Sequence, residues 1–351
     1  MNALLALLLA CAAPADETGR PSHSDGGGAS TDGGGTSGDG GGSLSDGGGT
    51  SGDGGGTPSD GGGTPSDGGG SPSDGGSTDG GASLPSLAIY VLTGQSNSLG
   101  TTDLEGSSPE DYGPGSAPSD ASTAFFWSNV SAANTVFPPL LYGDADGALR
   151  TLQVQQGDGS SPVFWGPEFG LARGLSAAGR TDLLIVKVSR GGGGNTWWHP
   201  PAFEADPDSG HMWGQLALVT SQAIALAEAE GREVELRGFL YLQGESNDQA
   251  EAEEAGERLA LLIETFAAHV EALAPGATAD MHTVIGEIAA SSSTTARSRT
   301  SFEQRMLAEA SPDISFVETA DLPLKSDGIH FGRDAKLEIG DRMAQALLAA
   351  D

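Results

Sequence analysis

The chain has only one cysteine, Cys11, so that thiol has no partner within the protein. Basic residues are few: 16 Lys and Arg face 48 Asp and Glu, for a formal net charge of −32 at pH 7. Nucleic-acid binding needs a basic face that displaces counterions, so this balance argues against nucleic acid as a partner. Long apolar runs are also missing. The run Ala3–Ala10 is eight residues long, whereas a membrane-spanning helix takes roughly 20. The six histidines show no H-x-x-x-H or comparable ligand spacing. A metallohydrolase is therefore disfavoured, and neither metal nor cofactor is expected.

Residues 20–83 lack nearly every side chain able to bury apolar area, and repeat units such as SDGGGT, SGDGGG and TPSDGGG. Such a segment cannot offset its ordering entropy and reads as a disordered Gly/Ser/Asp/Thr/Pro linker. Its Asp-Gly units do not make a calcium-binding roll, because the alternating large apolar residues that build such a core are missing. Ahead of it, Leu8-Leu9-Ala10-Cys11 resembles the bacterial lipobox, in which cleavage before the cysteine leaves a lipid-modified N-terminus. The resemblance implies a lipoprotein-type signal segment over residues 1–19, lipidation at Cys11, and membrane contact only through that lipid. It places the protein in a bacterial cell envelope, as an outer-membrane-anchored lipoprotein or a secreted one. An ordinary secretory signal is the alternative.

From residue 84 to 351 the pattern is globular. Apolar runs LAIYVLTG (87–94), LLIVKVS (183–189), LRGFLYLQG (236–244), HTVIGEI (282–288) and ISFVET (314–319) read as strands buried on both faces of a parallel sheet. Helical periods fill 166–178, 211–230, 249–273, 297–311 and 333–350. Within the third of these, Leu259, Leu262, Ile263, Phe266, Val270 and Leu273 recur at spacings of three and four, which makes one apolar stripe. The alternation predicts an α/β fold, a three-layer α/β/α sandwich around a mostly five-stranded parallel sheet. Ligands in such folds bind at the C-terminal ends of strands, and the informative polar residues fall there. Residues 101–165, rich in Gly, Ser and Pro, read as a long insertion over the site with no clear element of their own.

Ser96 follows the first strand in YVLTGQSNSLG. It is either an ordinary turn residue or a nucleophile raised above the sheet. A serine hydroxyl needs a base within hydrogen-bond reach and a third group to orient that base. KSDGIHFG supplies Asp327 and His330, three residues apart, although a simple turn before the last helix fits them too. Oxyanion donors are required as well. VSRGGGGNTWW offers glycine N–H groups at Gly191–Gly194, and YLQGESND offers the Gln243 amide, for which a structural role fits equally.

These motifs, GQSN, QGES and DGIH in this order, resemble the SGNH hydrolase superfamily, specifically its sialate O-acetylesterase and acetylxylan esterase branch, carbohydrate esterase family six. GPEFGLARGL (166–175) and DLPLKSDGIHF (321–331) are similar to that branch too. The resemblance implies an SGNH, flavodoxin-like fold over residues 84–351 and removal of O-acetyl groups from carbohydrates. It makes Ser96 the nucleophile, His330 the general base and acid, and Asp327 its orienting group. It assigns the oxyanion donors to the Ser96 N–H, a glycine N–H of Gly191 or Gly192, and Gln243, with Gln95, Asn97 and Glu245 as supporting residues. The expected partner is an acetylated glycan. Trp197 and Trp198 either stack on a sugar ring or pack the loop. A general esterase or lipase of the same superfamily and a non-catalytic carbohydrate-binding lipoprotein are the alternative functions.

Lipidation at Cys11 is checked by intact mass of the membrane fraction. The expected species begins at Cys11 and carries acyl chains; an uncleaved, unmodified N-terminus would sink the expectation.

Overall fold

The computed structural model describes residues 84–100, 115–133, 135–157, 163–289 and 295–351. The expected signal segment 1–19 with Cys11 and the linker 20–83 lie outside the described residues. No helix among the described residues is long and apolar enough to cross a membrane.

The main sheet contains β1 (Leu87–Gly94), β2 (Ala124–Val130), β3 (Leu141–Asp144), β4 (Arg150–Thr151), β7 (Leu183–Arg190), β8 (Val234–Leu242), β9 (His282–Gly286) and β10 (Ile314–Val317). A separate two-stranded ribbon joins β5 (Gln155–Gln156) to β6 (Val163–Phe164). The order across the main sheet is β10-β9-β8-β1-β7-β2-β3, with β4 also paired to β2. The five strands expected from the sequence are β1, β7, β8, β9 and β10, and they run parallel in the flavodoxin-like order 2-1-3-4-5. β1 is buried along nearly its whole length and β7 throughout, which explains runs without polar alternation.

Three expectations need correction. The sheet has six parallel strands rather than five, because AFFWSNV forms β2 and pairs parallel with β7 from Ala124↔Leu184 to Val130↔Arg190. Residues 101–165 thus contribute β2, with β3 and β4 antiparallel to it, instead of serving wholly as a cover over the site. The helix expected at 249–273 divides at Glu254 into Gln249–Glu253 and Ala255–Leu273.

The helices are α1 (Ser96–Leu99), α2 (Pro118–Ser122), α3 (Pro167–Ala177), α4 (Pro200–Ala205), α5 (His211–Ala229), α6 (Gln249–Glu253), α7 (Ala255–Leu273), α8 (Thr295–Ala310) and α9 (Arg333–Ala350). α7 forms because its stripe has something to bury against: Leu259, Leu262, Phe266 and Val270 are all in the core, each gaining about 2 kcal/mol from burial. α3 and α9 pack against each other, and α9 also lies on β8, β9 and β10, while α5 packs on β1, β2, β7 and β8 and against α7.

The α3–α9 contact is close enough to require glycine. A methyl on Gly340 would sit 2.0 Å from the Pro167 carbonyl oxygen, and one on Gly170 would sit 2.0 Å from the Leu337 carbonyl oxygen. Gly340→Ala is therefore expected to destabilise the fold by about 1–3 kcal/mol, read as a lower urea midpoint at unchanged slope.

Candidate active site

The site is assembled from three strand-end segments and the loop that precedes α9. β1 ends at Gly94 with φ of 151°, where a side chain would meet the Leu242 carbonyl at 2.0 Å, so the chain turns beside the end of β8. Gln95 follows, and Ser96 opens the one-turn helix α1. That placement leaves the Ser96 N–H without an intrahelical acceptor.

The Ser96 hydroxyl lies 2.9 Å from Nε2 of His330. On the other side of the ring, His330 Nδ1 lies 2.7 Å from Oδ2 of Asp327. A carboxylate only accepts, so Nδ1 carries a proton, and in the neutral ring Nε2 is left to accept from the serine O–H. Asp327 Oδ1 also accepts the backbone N–H groups of Ile329, at 2.8 Å, and His330, at 2.9 Å. This fixes the three-residue spacing as a tight side-chain turn. Partial burial pushes the Asp327 carboxyl up, but the hydrogen bonds from His330 and Ile329 outweigh it and hold the group well below the usual carboxylate range. A depressed carboxyl contributes stability that is full above its unfolded value and is lost as pH falls through the lower folded one. Asp327 therefore stays ionised in mildly acidic solution. The Ser96 residue is 7% exposed, whereas the His330 and Asp327 side chains are 28% and 40% exposed. The serine is held from below and the acid–base pair opens to solvent.

The loop carrying His330 is clamped by Asn97. Its Oδ1 accepts the Phe331 N–H at 3.0 Å, and its Nδ2 donates to Ile329 O at 3.1 Å and to Glu245 Oε1 at 2.6 Å. Asn97 thus grips the backbone on both sides of His330, and Glu245 fixes Asn97. Burial raises the Glu245 carboxyl above its ordinary value, against the hydrogen bond from Asn97. Gln95 joins the β1 turn to the segment after β8, accepting the Gly244 N–H at 3.2 Å and donating to Ser246 Oγ at 3.3 Å.

The glycine loop is fixed rather than loose. Gly192 and Gly193 take φ of 70° and 93°, in the left-handed region, and a side chain on Gly193 would strike the Trp197 ring at 1.8 Å. Asn195 N–H donates to Asn247 Oδ1 at 3.0 Å, and the Thr196 hydroxyl donates to Glu251 Oε1 at 2.6 Å. Gly191 sits against the nucleophile turn: a methyl there would lie 3.9 Å from Leu99 Cδ2.

For two residues the structural one of the two expected readings holds. Gln243 is fully buried, and its Nε2 donates to Gly193 O at 3.1 Å and Asn247 Oδ1 at 2.9 Å. Both amide hydrogens are occupied, so here Gln243 holds the glycine loop instead of offering a hydrogen to an oxyanion. Trp198 is 1% exposed and its Nε1 donates to Thr93 Oγ1 at 3.0 Å, so it belongs to the core and offers no face to a sugar. Trp197 is half-buried, and the Arg190 guanidinium sits 3.6 Å from one of its ring centroids.

Sequence reasoning missed Asn247 and Arg190. Asn247 joins the glycine loop, Gln243 and, through Thr300 Oγ1 at 3.1 Å, α8. Its only signal was its place in the QGES–Asp248 motif. Asp248 itself caps α6, accepting the Glu251 N–H at 2.8 Å. Arg190 donates to Ser131 O and Ala132 O at 3.3 and 2.9 Å, a contact that follows only from the strand β2, which the sequence did not reveal.

A family model described as "Carbohydrate esterase, sialic acid-specific acetylesterase" matches residues 86–349, a span that holds Ser96, the glycine loop, Glu245 and the Asp327–His330 pair. The chain belongs to this family of carbohydrate esterases. As a member it is a carboxylic ester hydrolase. An Arabidopsis thaliana protein of known structure shares the fold, with 20% identity and a TM-score of 0.52 over 76% of this chain and 99% of that one. A structure titled as a novel carbohydrate acetylesterase from Xanthomonas citri aligns at 18% identity and a TM-score of 0.49, over 74% of this chain and 55% of that one. No curated protein sequence matches this one.

Asn97→Ala is expected to free the His330 loop and lower kcat by roughly 100-fold, in line with the cost of small misplacements, with a smaller change in KM. Steady-state kinetics on an aryl acetate measures both. Glu245→Gln keeps an acceptor for Asn97 and removes a charge whose burial is unfavourable. A raised carboxyl costs stability only where it is ionised, so the variant's thermal advantage should be largest at pH 7–8 and fade as pH falls towards about 4.5.

Proposed function

We propose that this esterase removes O-acetyl groups from carbohydrates through an acyl-enzyme on Ser96. The observation that carries the reading is the unbroken hydrogen-bonded line from Ser96 Oγ through the His330 ring to Asp327. Ser96 Oγ attacks the acetyl carbonyl carbon as its proton passes to His330 Nε2. The C–O bond to the sugar then breaks, and the sugar oxygen leaves with that proton. Water, deprotonated by His330, attacks the acyl-serine and frees acetate, returning the proton to Ser96.

The developing oxyanion needs donors in fixed positions. We assign them to the Ser96 N–H and to a glycine N–H of Gly191 or Gly192. The register supports this: Gly94 pairs with Ser189, so Ser96 and Gly191 stand two residues beyond the same rung of adjacent parallel strands. Gln243 acts behind them, on Gly193. The exposure of His330 and Asp327 suits an acetyl group on a bulky glycan, which reaches the serine without entering a closed cavity. Trp197 is the aromatic residue beside the glycine loop that retains surface for a sugar ring. With Cys11 lipidated, the same reading places the enzyme at a bacterial envelope facing glycan substrates.

Acetate release from acetylated xylan, O-acetyl sialic acid and an aryl acetate tests the proposal. Activity on a glycan is expected, with Ser96→Ala lower by at least about 1000-fold. Turnover of the aryl ester alone would keep the serine mechanism and remove the carbohydrate assignment, and an active Ser96→Ala would remove the mechanism.

A further inference from the structure

We infer that Lys187 is a positioning residue for the Ser96 turn, a role that rests on the reading of Ser96 as nucleophile. Lys187 lies in the middle of β7, and its side chain and that of Glu168 on α3 are fully buried. Its ammonium group has three hydrogens and three acceptors: Glu168 Oε1 at 2.9 Å, Gln155 Oε1 at 2.8 Å and the Leu99 carbonyl at 3.0 Å. The third acceptor matters most. Leu99 closes α1, the single turn that Ser96 opens, and a carbonyl at a helix C-terminus has no intrahelical donor. Lys187 supplies one from below the serine.

The ammonium cannot swing away. Gln155 closes a ring, donating from Nε2 to Glu168 Oε1 at 3.1 Å while its own Oε1 receives Lys187, and the Gly166 N–H adds a bond to the same carboxylate oxygen at 2.9 Å. An apolar pair of similar volume would fill this space without the desolvation that two buried charges incur. Apolar side chains would not donate to Leu99. A second bond from the same strand grips the same turn: Ser189 Oγ lies 2.8 Å from Ser98 Oγ. Gly191 and Gly192 directly follow β7. One strand therefore registers both the attacking oxygen and the loop proposed to bind the oxyanion, and it fixes the distance between them through side-chain bonds.

The test uses the full chain and p-nitrophenyl acetate. Ser96→Ala comes first: if it retains parental activity, the nucleophile reading fails independently of Lys187. Lys187→Met alone would strand the Glu168 carboxylate, so the informative variant is Lys187→Met with Glu168→Gln, in which the new amide can serve Gln155 Oε1. The expected result is a cooperative melt, an unchanged KM, a kcat lower on the order of 100-fold, and a parallel fall in the rate at which a fluorophosphonate labels Ser96. A folded double variant with parental kcat and labelling rate, or one altered only in KM, overturns the proposal. If the double variant does not fold, Lys187→Gln is read by the same criteria, since its amide is one bond shorter and falls short of Leu99. Asp120→Asn weakens the pair with Arg173 on the other side of α3. It serves as the destabilised control, with kcat expected to stay at the parental value.

Discussion

His330 lies 234 residues beyond Ser96 in the chain, and their meeting depends on one carboxamide, that of Asn97. Asn97 spends its oxygen on Phe331 N–H and its nitrogen on Ile329 O and Glu245. A side chain one residue from the nucleophile thereby holds the backbone on either side of the base. This is why the site needs a buried Glu245 despite the cost of burying a carboxyl: Glu245 keeps Asn97 from rotating away. Release of that clamp would leave Asp327 and His330 paired with each other yet no longer aimed at the serine.

The other half of the geometry belongs to β7. It lies next to β1 in the sheet, so the chain leaving it emerges beside the Ser96 turn. The loop it feeds is four glycines followed by a short 3-10 turn, Asn195–Trp198. Glycine is required there for a physical reason, because a Cβ at Gly193 or Gly194 would occupy the space of Trp197 or Glu251. Asn247, Gln243 and Glu251 then fix the loop from the β8 side. The sheet thus supplies rigidity, and the polar residues of three strand ends supply the cross-links between them.

Much of this was legible beforehand. The five strands were readable because strands buried on both faces have no polar alternation to confuse the period. The motif residues were readable because they sit where such strands end. β2 was not, since AFFWSNV is one apolar run inside a Gly-, Ser- and Pro-rich stretch, and nothing local says that it pairs with a strand 60 residues later. Gln243 and Trp198 were left with two readings each for a related reason. A polar or aromatic residue at a strand end reads as available, and only the neighbours that consume its hydrogens or cover its face show otherwise.

By itself, the sequence determined the five parallel strands β1, β7, β8, β9 and β10 and the longer helices, that the chain beyond residue 83 is an α/β unit, and that a serine, a histidine and an aspartate stand at the ends of its elements. Those properties follow from local periodicity and residue chemistry. Only the tertiary structure decided which neighbour each polar side chain has. It spent Gln243 on Gly193, buried Trp198 under Thr93, placed Lys187 beneath Leu99 and let Asn97 hold both sides of His330. The physical reason is that a hydrogen bond depends on distances of about 3 Å, and residues 50 to 234 positions apart reach that distance only once the sheet has set their register.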